Sequence, residues 1–370
     1  MRLYRPRRQN GGFMKKILSL ILALAICVSA LPLLFSCGMS EDISVLYYTY
    51  SDTYISSVRS AMDKALKELK LGYHNYDAAG NQTTQTEQVD TAITKGARLL
   101  LVNVVDTGSD DAASAIIGKA KEANIPVVFF NRSVDEEVIK SYEKCYFVGT
   151  DYEEAGKIQG ELIGNYLVEN YNKLDINGDG KISYVLFKGQ QGNLEAESRT
   201  VEAVRVTNEI LAKAGKPPIS FYDKNNTQGY LVDQNGTWSN AAANNHMKTV
   251  LSAYSEAGKN MVELVIANND EMALGALAAL EEAGYNKDGG RYIPVFGVDA
   301  TEGAKAKIES GSMTGTVKQD GELMAKTIAK LAENLILDRG AFDGISEEMK
   351  VSEYRINIPY SVYKKESEEK

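Results

Sequence analysis

The chain predicts an α/β protein built as two Rossmann-like parallel-sheet domains. From Ile43 onward, short apolar runs alternate with amphipathic stretches of helical period, which is the pattern of βαβ units. The chain is 370 residues long, which is much for one hydrophobic core and natural for two.

Ser44–Tyr50 reads as the first strand, and Thr53–Leu69 as a helix with Ile55, Val58, Met62 and Leu66 on one stripe. Thr84–Lys95 is expected to be helical, Leu99–Val105 a strand, Asp110–Ala123 a helix and Pro126–Phe130 a buried strand. After Tyr146–Gly149 the alternation resumes with helix Glu153–Glu169, strand Ser183–Phe187, helix Glu195–Ala214 and strand Ile219–Tyr222. Helix Asn240–Ala257, strand Leu264–Ala267, helix Asp270–Ala283 and strand Pro294–Gly297 follow. The charged end, Lys364–Lys370, reads as a disordered tail.

The N-terminus is different in kind. Residues 1–36 hold Arg2, Arg5, Arg7, Arg8, Lys15 and Lys16 but no acid, and Ile17–Phe35 is broken only by Ser19, Ser29 and Pro32. A basic region followed by an apolar run is a secretory signal, with Met14 its expected start. The run barely reaches spanning length, so export is favoured over a permanent membrane anchor. It ends in Leu34-Phe35-Ser36-Cys37, which resembles a bacterial lipobox and implies an acyl chain on Cys37 after cleavage. The full chain carries a net charge of −9, and the part after the basic leader is more acidic still. Such a body has no means of wrapping nucleic acid or gripping anionic lipid. With Cys37 acylated, Cys145 has no disulfide partner, and two histidines exclude a His-rich metal site.

Short polar side chains recur where strands end. Asp52 follows the first strand, Asn131 follows Val127–Phe130, Asn269 follows Val265–Ala267, Asp299 follows Val295–Val298 and Gln319 follows Thr314–Lys318. In open parallel sheets ligands sit outside the carboxyl ends of the strands. Each Asn or Asp could instead simply cap the next helix. Five together, with no Lys or His among them, point to a polar, uncharged, polyhydroxylated ligand.

Four segments carry a resemblance: Val127-Val128-Phe129-Phe130-Asn131, Val148-Gly149-Thr150-Asp151, Val265-Ile266-Ala267-Asn268-Asn269-Asp270 and Pro294-Val295-Phe296-Gly297-Val298-Asp299-Ala300. They resemble the type I periplasmic sugar-binding proteins, most closely the galactose/glucose-binding members, over nearly all of Ile43–Tyr363. The resemblance implies sugar contacts at Asp52, Tyr54, Asn131, Asn193, Glu195, Arg199, Trp238, Asn269, Asp299 and Gln319. Tyr54 and Trp238 would cover the two apolar faces of a pyranose, while amides, carboxylates and the Arg fork take the hydroxyls in its plane. Four positions depart from the family pattern: Tyr54 stands for Phe, Asn193 for His, Glu195 for Asp and Gln319 for Asn. Galactose and glucose remain the expected ligands.

Asp175-Ile176-Asn177-Gly178-Asp179-Gly180-Lys181-Ile182-Ser183 fits the first nine positions of an EF-hand loop, with Lys181 contributing its main-chain carbonyl. The twelfth position is Leu186 rather than Glu, and a strand follows instead of a helix, so it fails as an EF-hand. The resembled family uses such a half-loop for a structural Ca²⁺ and draws its bidentate Glu from a distant strand, which implies Glu263 here. Ser183 stands where that family has Gln.

An enzyme needs a nucleophile with a base, or two carboxylates tuned apart. Glu195 and Asp299 could be cast as a glycosidase pair, but nothing favours that over hydrogen bonding to hydroxyls. There is no GxxxxGK[ST] phosphate loop. Sugar-responsive repressors share the resembled fold but carry an N-terminal helix-turn-helix where this chain has its leader. The resemblance therefore implies a non-enzymatic, monomeric, lipid-anchored receptor that closes on a monosaccharide by a three-segment hinge and hands it to an ABC permease. A lipoprotein presenting sugar to a chemoreceptor or sensor kinase is the alternative. The expected N-terminal domain is 43–149 with 319–354, the C-terminal domain 150–318 with 355–363.

Overall fold

The computed structural model describes residues 1–2 and 42–365. The remaining leader residues, Cys37 and residues 366–370 of the expected tail lie outside the described residues. Among the described residues no helix is long and apolar enough to cross a membrane.

The first lobe runs β1 (Ile43–Tyr47), α1 (Thr53–Glu68), β2 (Tyr73–Asp77), α2 (Gln82–Thr94), β3 (Leu99–Val102), α3 (Asp111–Glu122), β4 (Val127–Asn131), the short α4 (Glu136–Lys140) and β5 (Cys145–Gly149). The second runs α5 (Glu154–Leu174), β6 (Ser183–Lys188), α6 (Leu194–Lys213), β7 (Ser220–Phe221), β8 (Leu231–Val232), α7 (Asn240–Ala253), β9 (Leu264–Ala267), α8 (Asp270–Glu282), β10 (Val295–Asp299), α9 (Glu302–Glu309) and β11 (Gly315–Gln319). The chain then returns to the first lobe with α10 (Gly321–Ile336) and β12 (Arg355–Asn357), and ends in the second with β13 (Tyr360–Lys364). The first sheet has the order β12-β5-β4-β3-β1-β2, wholly parallel; the second has β13-β11-β10-β9-β6-β7, with β8 also on β6 and only β13 antiparallel.

Helices cover both faces of each sheet, which is why β1 and β3 are buried at every position and read as apolar runs, broken only by Ser44 in β1. In the first lobe α1 and α10 pack together on one face through Val58, Met62, Leu66, Met324 and Ile328. In the second, Gly156, Gly160 and Gly164 form an i, i+4 stripe on α5 that lets α6 approach. A Cβ at Gly160 would stand 2.7 Å from Val206 Cβ and 2.8 Å from the Ala203 carbonyl oxygen. That close approach fixes α6, whose first two turns enter the cleft between the lobes.

The chain changes lobes three times. The first crossing comes after Gly149 and the second after Gln319, one residue beyond the expected boundary. The third corrects the expected boundary. Arg355–Asn357 pairs with Phe147–Gly149 of the first sheet, so the crossing comes between Asn357 and Tyr360, and residues 355–357 belong to the N-terminal lobe. Gln319 likewise closes a strand of the second sheet rather than opening the returning segment. Lys364 is the last residue of β13, paired with Gly315, so the expected tail begins too early. Helix α5 runs on to Leu174 because Tyr171 and Leu174 continue its buried stripe. Helix α7 stops at Ala253, where extended Tyr254 turns its ring edge-on to Tyr222 at 4.7 Å.

Candidate functional site

All ten residues singled out in the sequence line one cavity between the lobes, with about 410 Å³ free of protein atoms and partly open to solvent. The first lobe gives Asp52, the N-cap of α1, Tyr54 from the first turn of α1 and Asn131 from the end of β4. The second gives Asn193, Glu195 and Arg199 from the start of α6, Trp238 and Asn269 from the turns before α7 and α8, and Asp299 and Gln319 from the ends of β10 and β11. Tyr48, Ile55 and Arg132 join them; Ile55 was read only as part of the apolar stripe of α1, and the other two were not singled out. Tyr48 lies inside the expected first strand, and no local signal marks Arg132; only the fold turns them inward.

Capping and cleft lining turn out to be compatible. Asp52, Asn193 and Asn269 each use one side-chain oxygen to cap a helix, accepting from the N–H of Ile55, Ala196 and Met272 at 2.8, 2.9 and 3.0 Å. The other polar atom of each stays in the cleft. Asp52 Oδ2 accepts from the Tyr48 hydroxyl at 2.5 Å, and Asn269 Nδ2 donates to the Trp238 carbonyl at 3.3 Å. Tyr54 and Trp238 come from opposite lobes and are each 8 % exposed. The Trp238 ring lies against Gly189, where any Cβ would stand 2.1 Å from it.

Arg199 is the polar centre. Its Nη1 donates to the Asn268 carbonyl at 2.9 Å, and its Nη2 to Gln319 Oε1 at 3.1 Å and to the Tyr360 hydroxyl at 3.3 Å. Its Nε is buried without a partner. So is Glu195 Oε2, while Glu195 Oε1 accepts from the Ser133 N–H of the first lobe at 2.7 Å. These two orphaned atoms are what a bound hydroxyl-rich ligand would satisfy. The backbone is strained here as well: Asn131, Trp238, Asp299 and Ala300 adopt φ of 65°, 55°, 123° and 57°. Such conformations cost about 1–3 kcal/mol each and persist where the surrounding structure enforces them.

Behind Asp299 lies Asp270, fully buried, accepting from the Thr316 hydroxyl at 2.6 Å and the Thr301 N–H at 2.7 Å. It ties the β10–α9 turn that aims Asp299 into the cleft. Burial pushes the Asp270 carboxyl up to about 7, and burial also holds Asp299 well above the usual carboxylate range despite nearby Arg199. A carboxyl raised on folding favours the native state at low pH and loses that contribution as pH rises through the folded value. Between about pH 4 and 7, stability should therefore fall with pH by up to about 1.4 kcal/mol per unit from Asp270 alone. Chemical denaturation at several pH values checks this; Asp270→Asn should make the slope shallower, with Asp299 supplying what remains, and an unchanged slope would exclude Asp270 as a source.

The Asp175–Ser183 loop lies away from the cleft. Asp175 accepts from the amides of Gly178, Asp179 and Gly180, and Asp179 from that of Lys181. Glu263, fully buried, accepts from the amides of Asn177 and Ser183 and from the Ser183 hydroxyl. Burial pushes its carboxyl up even though these donors pull it down. Asn177 Oδ1 is buried without a partner. Among the described residues no three His, Cys, Asp or Glu side chains stand together as a metal cluster, because the loop's carboxylates turn onto its own amides.

Two parallel-sheet α/β lobes, three crossings and a polar cavity at the strand ends define the class of type I periplasmic binding proteins. Residues 43–340 match the model of the periplasmic binding protein domain, and the chain belongs to that family, within its sugar-binding group. It is 38 % identical over 328 residues, 88 % of this chain and 90 % of the relative, to the D-galactose/methyl-galactoside binding periplasmic protein MglB of Haemophilus influenzae. It is 26 % identical over 310 residues, 83 % of this chain and 87 % of the relative, to the ribose import binding protein RbsB of Escherichia coli. Among solved structures, an ABC transporter solute binding protein from Clostridium phytofermentans with bound β-D-glucose superposes with a TM-score of 0.67 at 19 % identity, covering 87 % of this chain and 93 % of that one. One from Bacillus halodurans with bound myo-inositol gives 0.65 at 23 % identity, covering 88 % and 96 %. This is a family of extracytoplasmic solute-binding proteins, and the chain is not an enzyme.

Proposed function

We propose that this protein captures D-galactose, D-glucose or a closely related monosaccharide by closure of its two lobes and delivers it to an ABC permease. The observation that carries this is the cavity itself: two aromatic rings from opposite lobes, with the Arg199 fork, three carboxylates and four amide side chains around them. Rings suit the C–H faces of a pyranose, and the polar rim suits its hydroxyls. The 38 % identity to a protein named for D-galactose and methyl-galactoside supports the hexose choice. Sugar contacting both lobes stabilises the closed state by its differential affinity. Trp238→Ala should weaken hexose binding at least tenfold, about 1.4 kcal/mol or more, while the thermal transition stays cooperative. Unchanged affinity would remove Trp238 from the site. Presentation of the sugar to a chemoreceptor or sensor kinase is the second reading. Acylation at Cys37 would hold either receptor, as a monomer, on the outer face of the membrane.

For the Asp175–Ser183 loop we propose a structural Ca²⁺ held by Asp175, Asn177, Asp179, the Lys181 carbonyl, Ser183 and Glu263. All are hard oxygen donors, and the unpartnered Asn177 Oδ1 and the buried Glu263 carboxylate, which faces no basic side chain in its hydrogen bonds, are suited to a dication. Ca²⁺ would pin the α5–β6 connection without touching the cleft. Calcium should raise the melting temperature, and Glu263→Gln should remove that gain while also lowering the metal-free transition, because one acceptor oxygen becomes an NH2 facing the Asn177 or Ser183 N–H. A calcium-dependent gain that survives Glu263→Gln would exclude Glu263 as a ligand.

A further inference from the structure

Among the described residues, three hydrogen bonds cross between the lobes through side chains at the cleft, apart from the hinge strands. Arg132 Nη2 donates to Gln190 Oε1 at 2.5 Å, Asn193 Nδ2 donates to Thr107 Oγ1 at 3.0 Å, and Ser133 N–H donates to Glu195 Oε1 at 2.7 Å. Two of the three leave adjacent residues of the turn after β4. Left-handed Asn131 starts that turn. The Arg132 guanidinium is anchored by the carbonyls of Val104 and Val105 and lies 4.0 Å over the Tyr48 ring. The Gln190 contact is therefore made to a fixed partner, with little side-chain freedom left to lose on closure.

Glu195 is the informative member. It is 7 % exposed, with one oxygen on the opposite lobe and the other buried and unpartnered in the cleft. An Asp at this position would set its carboxylate back by about 1.5 Å, which takes a 2.7 Å contact beyond hydrogen-bond range. We propose that Glu195 is a closure-coupling residue: its extra methylene lets one carboxylate clasp the first lobe and receive a ligand hydroxyl at the same time. Without ligand the clasp forms but leaves Glu195 Oε2 unsatisfied, so the closed state is reached and penalised. A hydroxyl on that oxygen removes the penalty, so ligand occupancy and lobe closure are linked through a single side chain. This rests on the capture reading above and adds to it a residue that sets how far the ligand-free protein closes.

The test is the distance between lobes in ligand-free protein, read by pulsed EPR with spin labels at Thr91→Cys and Asn245→Cys, both exposed, in a chain with Cys27→Ser and Cys37→Ser; Cys145 is buried. Two distances are expected, the shorter being the clasped state. Glu195→Asp should lower the closed-to-open ratio about tenfold, whereas Glu195→Gln, with the same reach and the same accepting oxygen, should keep it within about threefold. Gln190→Ala, which cuts the Arg132 contact outside the cavity wall, should shift the ratio in the same direction. A native protein that is wholly open without ligand, a Glu195→Asp distribution identical to the native one, or equal losses in the Asp and Gln variants would each overturn the proposal. Because no ligand is present, a protein that binds none of the sugars tried would sink the capture reading while the clasp is judged on its own distances.

Discussion

Arg199→Met should abolish measurable hexose binding and lower folding stability at pH 7 by about 3 kcal/mol, the scale for removing one partner from a buried charged network. Arg199 is 4 % exposed, and its loss strands the Asn268 carbonyl and Gln319 Oε1 and leaves the Tyr360 hydroxyl with Thr150 alone. It also removes the main cation acting on buried Asp299, whose carboxyl is pushed up by burial and pulled down by Arg199. Without the guanidinium, Asp299 takes a proton more readily, so the deficit should narrow as pH falls. Denaturation of native and variant protein at pH 5 and 8 checks this. A deficit that is constant with pH would mean that Arg199 does not act on Asp299.

Gly189→Ala is expected to damage the site almost as much through a single methyl group. The new Cβ would stand 2.1 Å from the Trp238 ring, and the left-handed backbone of Trp238 leaves the side chain little room to swing without unfolding the turn. The ring must move into the cavity. Overpacking of this kind costs about 1–3 kcal/mol, and affinity should fall at least tenfold because the displaced ring occupies ligand space. Trp238 is the sole tryptophan, so its emission reports on the site without labels. The variant should show a shifted emission maximum and no ligand-dependent change. Native-like emission with native affinity would place the ring elsewhere.

The fold was legible because its strands are buried on both faces and read as apolar runs between amphipathic helices. Residues Leu99–Val102 and Leu264–Ala267 illustrate this, each buried along its whole length. The hinge was less so. β12 is only three residues long and follows an irregular segment, so no periodicity marks it, and its lobe is decided by pairing with β5. In the site, Asp52, Asn131, Asn269, Asp299 and Gln319 were visible as polar residues at strand ends. Asn193, Glu195, Arg199 and Trp238 came from resemblance alone, since residues at the start of a helix or in a polar turn carry no local sign of facing a cleft. Arg132 was missed because its inward course depends on the carbonyls of Val104 and Val105, far from it in sequence. The reach of Glu195 across the cleft could be suspected from its extra methylene, but its partner, the Ser133 amide, could not.

Calorimetric titration of the purified protein with D-galactose, D-glucose, D-ribose and D-xylose tests the central claim most directly. Binding of galactose or glucose with a dissociation constant of about a micromolar or tighter, near −8 kcal/mol, is the expected result and would make Asn193, Glu195 and Gln319 tolerated variations of a hexose site. No heat with either hexose, under conditions where the protein is folded, would contradict it, and a response to ribose or xylose alone would move the ligand to a pentose.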